Sequence, residues 1–251
     1  MRKILYVTGL LILFCLIVAP VEACAQDTVY YRMPRLRVAS LKDCDYYSVI
    51  TAHSAGNDIQ EIRFSPAGNK TEEEHYSVLG NEKIKSGRWQ TWYLNGQLKS
   101  VINYKNNQKD GLLETYWPNG QLKRRDTFVN DSCIAGVCYN ESSEKLKHFD
   151  YETAAHFRGG AEALNRYLSK KIYFPQTAQP NLNDPKEKVI LRFLVKQSGE
   201  IDNLTIMNNP DKNMAGQVLH AFKKMPKWVP ATIDGNPVGQ YITFPVSFIW
   251  N

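Results

Sequence analysis

The sequence lacks the motifs that most enzymes and metal proteins carry. It contains no His-Glu-x-x-His, no Gly-x-Ser-x-Gly and no glycine-rich phosphate loop, so no metalloprotease, serine hydrolase or nucleotide site is predicted. His148 and His156 flank Asp150 and Glu152, a grouping that a metal could use, but no predicted helix or hairpin holds these side chains together. We therefore expect no catalytic residue, no metal site and no cofactor.

The chain also lacks a clustered basic segment and has little cysteine. Its 31 Lys and Arg alternate with 25 Asp and Glu, so the net charge of +6 is dispersed and nucleic-acid binding is not expected. Beyond the N-terminal segment only Cys44, Cys133 and Cys138 remain. Cys133 and Cys138 are a candidate local disulfide, and the alternative is that both stay as thiols.

A single apolar run approaches membrane-spanning length, and it lies at the N-terminus. Residues 1–25 are predicted to be an export signal, because two basic residues precede the apolar run at 4–19 and a small-residue site, Ala23-Cys24-Ala25, follows it. Cleavage before Gln26 is the preferred interpretation. Lipidation of Cys24 and retention of the segment as an anchor remain open. The rest of the chain is expected outside the cytoplasm.

A direct repeat occupies the middle of the chain. Residues 87–99 and 111–123 align with a period of 24 residues, and each unit contains aromatic residues, an Asn-Gly pair and Leu-Lys. Asn95-Gly96 and Asn119-Gly120 predict β-hairpin turns in which both residues take a positive φ. Looser copies on either side extend the array, so residues 59–146 are predicted to form three or four stacked hairpins.

This array resembles the MORN-like repeat family in its bacterial variant. The resemblance implies a scaffold or an interaction surface. The repeat aromatics are expected to pack between neighbouring hairpins rather than to bind a ligand. Residues 26–58, which precede the array, carry no pattern from which we assign a structure or a function.

The C-terminal part reads as helix, strand, strand, helix, strand. A helix begins at Gly159-Gly160, and strands follow at about 188–196 and 201–208. A second helix ends before Pro226, and the last strand spans 240–250 with apolar residues at alternate positions. We predict an α+β domain at 157–251, two helices on a small antiparallel sheet, joined to the all-β array by a linker at 147–156.

The predicted domain carries a series of short motifs, namely Phe157-Arg158-Gly159-Gly160, Tyr173-Phe174-Pro175 with Ala178, Ser198-Gly199, Met225-Pro226-Lys227-Trp228-Val229-Pro230-Ala231, Gly235-Asn236-Pro237-Val238 and Phe244-Pro245-Val246-Ser247-Phe248. In these motifs and their order the domain resembles the C-terminal domain of TonB in the form found in Bacteroidetes-type bacteria. A glycine of the family before the first strand is replaced here by Lys186-Glu187-Lys188, and no Pro- and Lys-rich spacer precedes the domain.

The resemblance implies a non-enzymatic protein of the Gram-negative periplasm or cell envelope, linked to TonB-dependent transport. Its domain would pair an extended peptide with the last strand by β-augmentation, the partner being an outer-membrane transporter or another envelope protein. Pro245 fits an edge strand, although protection of that edge against aggregation is an alternative role. The expected peptide-binding edge comprises Gln240, Tyr241, Thr243, Pro245 and Ser247.

Two readings of the whole chain remain. Without a long spacer, an adaptor that docks on an envelope protein is favoured over an energy transducer. The alternative is a structural or scaffold envelope protein that acts through its repeats, with a C-terminal domain that only caps the array or forms a homodimer.

Overall fold

The computed structural model describes residues 25–32, 36–52, 58–173, 186–208 and 210–249. The chain divides into two compact units, Met1–His148 and Phe149–Asn251. Apart from Ala25, the predicted export signal at 1–25 lies outside the described residues, as do Phe174, Pro175 and Trp250. No helix in the described part of the chain is long and apolar enough to cross a membrane.

In the described residues, the first unit forms an antiparallel sheet of twelve strands. One short 3₁₀ helix, Leu41–Asp43, interrupts it. In space the order is β12-β11-β10-β9-β8-β7-β5-β4-β3-β1-β2, with β6 paired to β5. The strands are β1 (Ala25–Arg32), β2 (Leu36–Val38), β3 (Tyr46–Ala52), β4 (Asp58–Phe64), β5 (Lys70–Leu79), β6 (Glu82–Lys85), β7 (Gly87–Trp92), β8 (Leu98–Lys105), β9 (Gln108–Tyr116), β10 (Leu122–Val129), β11 (Ser132–Tyr139) and β12 (Lys145–Leu146).

The described parts of the segment at 26–58, which carries no recognisable sequence pattern, extend this sheet. β1 pairs antiparallel with β3, and β3 pairs with β4, the first strand of the hairpin array. Aromatic stacking supports this pairing, since the ring of Tyr47 lies 5.1 Å from that of Phe64 and the ring of Tyr31 lies 5.0 Å from that of Tyr46.

The predicted Asn-Gly turns are in the right place, but the predicted backbone conformation is wrong. Only the glycine of each pair takes a positive φ, 83° at Gly96 and 85° at Gly120. Each loop has three residues and ends on the left-handed glycine, a geometry that needs only one positive φ. The asparagine instead uses its side chain, since Asn95 Oδ1 accepts a hydrogen bond from the N–H of Gln97 at 3.0 Å.

Turns with two positive φ values occur at the opposite end of the strands. Asn106-Asn107 joins β8 to β9, and Asn130-Asp131 joins β10 to β11. Each second turn residue also binds the preceding repeat: Asn107 exchanges two hydrogen bonds with the backbone of Lys85, and Asp131 does the same with Lys109. These bonds, repeated 24 residues apart, hold successive hairpins in one sheet.

Repeat aromatics pack between neighbouring hairpins, as predicted. The ring of Trp89 lies 5.1 Å from Tyr76 and 4.9 Å from Tyr104, and its indole N–H donates to the carbonyl of His75 at 2.7 Å. Trp117 donates in the same way to the carbonyl of Tyr139 at 3.2 Å. Because aromatics cross from one hairpin to the next, each hairpin stabilises its neighbours.

The second unit contains the predicted three-stranded sheet and two helices, together with a second small sheet. The main sheet has the order β15-β14-β18, and the other has the order β13-β16-β17. The elements are β13 (Glu152–Thr153), α1 (Gly160–Lys171), β14 (Lys186–Val195), β15 (Ile201–Ile206), α2 (Lys212–Lys223), β16 (Ala231–Ile233), β17 (Asn236–Val238) and β18 (Gln240–Ile249).

Part of the segment predicted as a linker, 147–156, is structured in the second unit. Glu152 and Thr153 form β13, which pairs with β16. His156 and Val229 exchange two backbone hydrogen bonds of 3.0 and 2.9 Å. A two-residue strand carries too little sequence pattern to be recognised by alternation, and for this reason the sequence analysis missed it.

The core of the second unit lies between one face of the main sheet and the two helices. Val189, Leu191, Phe193 and Val195 on the central strand β14 are fully buried, as the predicted alternation requires. The helices contribute Leu164, Leu168, Met214, Val218 and Phe222, and the following loop contributes Trp228. Trp228 is therefore a core residue, in agreement with the prediction.

Candidate functional site

The last strand, β18, lies at an edge of the main sheet. It pairs with β14 on one side, and within the described residues no strand pairs with its other side. Its side chains alternate: Val246 and Phe248 are buried against the helices, whereas the four residues Tyr241, Thr243, Pro245 and Ser247 are exposed. Trp250, which the sequence analysis included in this strand, lies outside the described residues.

The backbone groups of β18 also alternate, and the pairing of its neighbour shows which of them face outward. Ile190 on β14 turns its N–H and C=O toward β15, because its N–H donates to Asn208 Oδ1 and its C=O accepts from Met207 N–H, both at 2.8 Å. Ile190 therefore makes no ladder bonds to its partner on β18, Pro245. It follows that Pro245 faces the outer edge.

The same alternation assigns every second residue of β18 to the outer edge. The N–H groups of Tyr241, Thr243 and Ser247 point away from β14, while Ile242, Phe244 and Val246 make the ladder bonds to it. Pro245 has no N–H, so the line of outward donors is interrupted at that residue. An incoming strand would find donors on both sides of the proline.

Gln240 differs from the other four predicted binding residues. Its side-chain Oε1 accepts a hydrogen bond of 2.7 Å from the N–H of Ala155, and its backbone faces Val195 on β14. Gln240 thus ties the start of β18 to Ala155, in the segment between β13 and α1. The structure places Tyr241, Thr243, Pro245 and Ser247 together along the edge and assigns Gln240 to the fold.

A groove runs between β18 and α1, on the helix side of this edge. Its volume is about 490 Å³, and its floor is formed by consecutive residues 244–248 of β18. The wall on the helix side consists of Asn165, Leu168, Ser169, Ile172 and Tyr173. The groove combines apolar and polar side chains next to the outward N–H groups, so it can receive side chains of a strand that adds to β18.

The wall of the groove is fixed by contacts between the two helices. Tyr167 on α1 donates its hydroxyl to the carbonyl of Ala221 on α2 at 3.0 Å. Burial raises the pKa of Tyr167 above its ordinary value, so the group remains a hydroxyl that can donate. Gly159 and Gly160, with φ of 87° and 76°, form the turn into α1.

The opposite face of the sheet, away from the helices, is polar around Tyr241. The Arg192 guanidinium lies 4.7 Å from the centre of the Tyr241 ring, and Asn203 Nδ2 donates to its hydroxyl at 3.2 Å. Half of Tyr241 is nevertheless exposed. This face therefore presents the Arg192 guanidinium, the Asn203 amide and the Tyr241 ring next to β18.

The candidate disulfide between Cys133 and Cys138 is wrong. Both residues lie in the continuous strand β11, five positions apart, and neither is bonded to the other. At about 3.3 Å per residue their Cα atoms are separated by roughly 16 Å, more than twice the reach of a disulfide. Cys133 is exposed and Cys138 is buried.

Cys133 instead belongs to a cluster of three side chains that no sequence motif indicates. Asp126, Cys133 and His148 bring one carboxylate oxygen, one sulfur and one imidazole nitrogen within 4.8 Å of one another. Asp126 is fully buried and pairs with the buried Arg124 at 2.7 Å. The residues come from β10, from β11 and from the segment after β12, so no short motif could reveal them. We call this the Asp-Cys-His cluster.

The grouping of His148, Asp150, Glu152 and His156 considered in the sequence analysis is divided between the units. His148 belongs to the first unit and the other three residues belong to the second. The ring of His156 makes a 3.2 Å contact with the carbonyl of Ala154, and its backbone bridges Val229.

Together the fold and the edge define a small α+β module with an open outer strand beside a groove. Comparison with known protein families finds matches in both units. Residues 171–250 match the family described as Gram-negative bacterial TonB protein C-terminal, and residues 85–106 and 109–130 match the family described as MORN repeat variant. The chain therefore contains a region that matches a TonB C-terminal domain, preceded by repeats that match the MORN variant, and the first match suggests a TonB-related envelope protein. No curated protein and no solved structure matches it.

Proposed function

We propose that the second unit is a non-catalytic binding module that captures an extended segment of another envelope protein as an additional strand on β18. The observation that carries this proposal is the line of outward N–H groups at Tyr241, Thr243 and Ser247 beside the groove. The partner class that best fits a TonB C-terminal domain is an outer-membrane transporter, whose extended segment the edge would hold by backbone pairing.

In this proposal, backbone hydrogen bonds provide the affinity for the peptide and side-chain contacts provide the selectivity. Successive outward N–H groups on a strand are about 7 Å apart, which is the spacing that any extended peptide presents. Each ladder bond contributes about 1 kcal/mol net and does not depend on the peptide sequence. Selectivity then comes from alternate peptide side chains, half of which enter the groove beside Leu168 and Ile172 while the others lie near Tyr241.

Pro245 would determine the register of the captured strand. The edge offers no donor at this position, so a peptide carbonyl placed opposite Pro245 loses its partner. A peptide that satisfies the donors at Thr243 and Ser247 avoids this loss by presenting a carbonyl to each of them and a small or kinked residue between. The alternative role, protection of a free edge from aggregation, uses the same missing donor.

Replacing Thr243 tests the backbone role directly. Thr243→Pro removes the outward N–H and should weaken binding of an extended envelope peptide at least about fivefold, since one ladder bond is lost. Thr243→Val is the matched control, because it keeps the N–H and the branched shape and should bind as the wild type does. Calorimetric titration measures both affinities, and circular dichroism checks that each variant is folded.

Equal binding by Thr243→Pro and the wild type would exclude pairing along β18. A loss of binding in both variants would instead assign the effect to the side chain and would contradict the backbone mechanism.

The repeats support a second function, that of an envelope scaffold. Lysine side chains lie over aromatic rings on the repeat sheet, with Lys99 5.6 Å from Tyr93 and Lys123 4.7 Å from Trp117 at equivalent positions. Such a periodic surface suits contact with another protein. Capture from an envelope extract by each unit separately distinguishes the two functions, because the adaptor function requires transporter-type partners on the second unit alone.

A further inference from the structure

We propose that Asp126, Cys133 and His148 bind one divalent transition-metal ion, with Zn²⁺ the ion that the donor set fits best. The three side chains supply a carboxylate oxygen, a thiolate sulfur and an imidazole nitrogen, which are the three donor types that protein zinc sites use. A mixed set with sulfur and nitrogen excludes Mg²⁺ and Ca²⁺, which require oxygen ligands.

The distances are close to those of a zinc site. The three donor atoms lie within 4.8 Å of one another, and His148 Nε2 is 3.0 Å from Asp126 Oδ1. Tetrahedral coordination with bonds of about 2.0–2.3 Å places ligand atoms roughly 3.3–3.8 Å apart. Donor atoms at the 4.8 Å limit would therefore have to approach by about 1 Å, a change that rotation of the exposed Cys133 side chain can supply.

A β-bulge brings Cys133 to the same face as Asp126. In the pairing of β10 with β11, Phe128 lies opposite Cys133 and Thr127 lies opposite Ala135, so Ile134 is the extra residue. Without this bulge the alternation of β11 would turn Cys133 to the other face of the sheet. The bulge therefore places the thiol of Cys133 on the same face of the sheet as the carboxylate of Asp126.

Gly136 leaves the space in which the donor atoms meet. It lies opposite Asp126 in the ladder, and a Cβ at this position would overlap both His148 Nε2 and Asp126 Oδ1. Its φ is not positive, so the backbone alone does not require glycine there. The requirement comes from the approach of two donor side chains over the backbone.

Arg124 prepares the carboxylate for this role. Its Nη1 binds Asp126 Oδ2 at 2.7 Å, and both side chains are fully buried, so Oδ1 is the oxygen directed to His148. This 2.7 Å contact fixes the orientation of the Asp126 carboxylate, as outer-shell partners of metal ligands do. Its positive charge opposes a cation, but the carboxylate and the thiolate together supply two negative charges that offset it.

Metal binding would exchange the hydrogen bonds of His148 Nε2 and the thiol proton of Cys133 for bonds to the ion. In the structure without metal, His148 Nε2 lies 3.0 Å from Asp126 Oδ1 and 3.4 Å from Arg124 Nη1, so it has two hydrogen-bond partners. On binding, the ion takes the place of these hydrogen bonds at Nε2: the neutral imidazole coordinates through Nε2 and carries its single proton on Nδ1, and the Cys133 thiol releases its proton to solvent. Because Cys133 is exposed and His148 is partly exposed, water has access to the fourth position.

A buried ion network of Arg124, Asp126 and His148 without metal is the competing explanation, in which Cys133 is not a ligand and its thiol donates to the carbonyl of Ala135 at 3.5 Å. The thiol is therefore the residue to test. Metal-free, reduced full-length protein is titrated with Co²⁺, which reports thiolate ligation by a near-ultraviolet charge-transfer band and tetrahedral geometry by visible bands. Zn²⁺ should then displace one equivalent of Co²⁺ per chain.

Cys133→Ser should abolish the near-ultraviolet band and weaken Zn²⁺ binding at least about tenfold, the effect expected even for an outer-shell residue. Cys44→Ser is the matched control, since Cys44 is a buried thiol outside the cluster, and it should leave both signals unchanged. The thermal midpoint without metal should be the same in Cys133→Ser and wild type, because the side chain is exposed. Absence of the band in the wild type, or its persistence in Cys133→Ser, would overturn the proposal.

Discussion

Phe193 is the residue whose removal should damage the second unit most selectively. It lies on the central strand β14, its side chain is fully buried, and its ring is 5.4 Å from both Phe222 on α2 and Trp228 in the following loop. Truncation to alanine removes the ring that joins the sheet to the helix and leaves a cavity between them.

The expected magnitude follows from this burial. Phe→Ala substitutions in cores cost about 3–5 kcal/mol, and the two aromatic contacts favour the upper part of that range. In a domain of about 100 residues each kcal/mol lowers the thermal midpoint by roughly 4–8 °C. Phe193→Ala should therefore lower the midpoint of the second unit by about 12 °C or more.

Hydrogen exchange measured by mass spectrometry along a thermal ramp resolves the two units. Peptides from β14 should lose protection at the lower temperature, while peptides from β9 in the first unit should keep their midpoint. Tyr173→Ala is the matched control, because this ring is 72% exposed and its removal should cost less than about 0.5 kcal/mol. A shift below about 4 °C in Phe193→Ala would refute the assignment of the core.

Two further predictions concern a helix end and an acidic group. Asp211→Ala should destabilise the second unit by about 1 kcal/mol in urea, and Asp211→Ser should restore most of it, because Oδ1 of Asp211 caps α2 by accepting from the N–H groups of Asn213 and Met214 at 2.8 and 3.1 Å. For Glu73, burial raises the pKa, but hydrogen bonds from Lys70, Gln60 and His75 outweigh burial and hold the pKa below its ordinary value. The stability that Glu73 contributes is therefore present above its unfolded pKa and is lost as the pH falls through its folded pKa. In Glu73→Gln, the free energy of unfolding of the first unit should therefore depend less on pH in the acid range.

The elements that the sequence predicts well are those in which one physical pattern dominates. Strict alternation of apolar residues in β14 and β18 requires one buried face, and the structure buries this face fully in β14 and at Val246 and Phe248 of β18. The period of 24 residues likewise identifies the hairpin array, and two of its units match the MORN repeat variant. In these segments local pattern and tertiary packing favour the same structure.

Prediction fails where a choice depends on pairing across the sheet. An Asn-Gly pair is compatible with two hairpin loops, and the ladder on either side selects the three-residue loop at Gly96. The bulge at Ile134 depends on the register of β10 and β11, so the meeting of Cys133 with Asp126 could not be read from their spacing. β13 also could not be predicted from the sequence, because its two residues form a strand only through their pairing with β16.

The binding edge was predictable in position but not in detail. A strand proline indicates an edge, and Pro245 does lie on one. Which N–H groups face outward depends on how β14 divides its hydrogen bonds between two neighbours, and this is fixed by Asn208 and Met207 on the far side of β14. For the same reason the inward role of Gln240 could not be recognised from sequence.

Amide exchange along β18 tests the proposed function most directly. When an extended envelope peptide is added to the full-length protein, the N–H groups of Tyr241, Thr243 and Ser247 should gain protection. Those of Ile242, Phe244 and Val246, which already bind β14, should change little. Binding that perturbs α1 and α2 and leaves Tyr241, Thr243 and Ser247 unprotected would contradict strand addition at this edge.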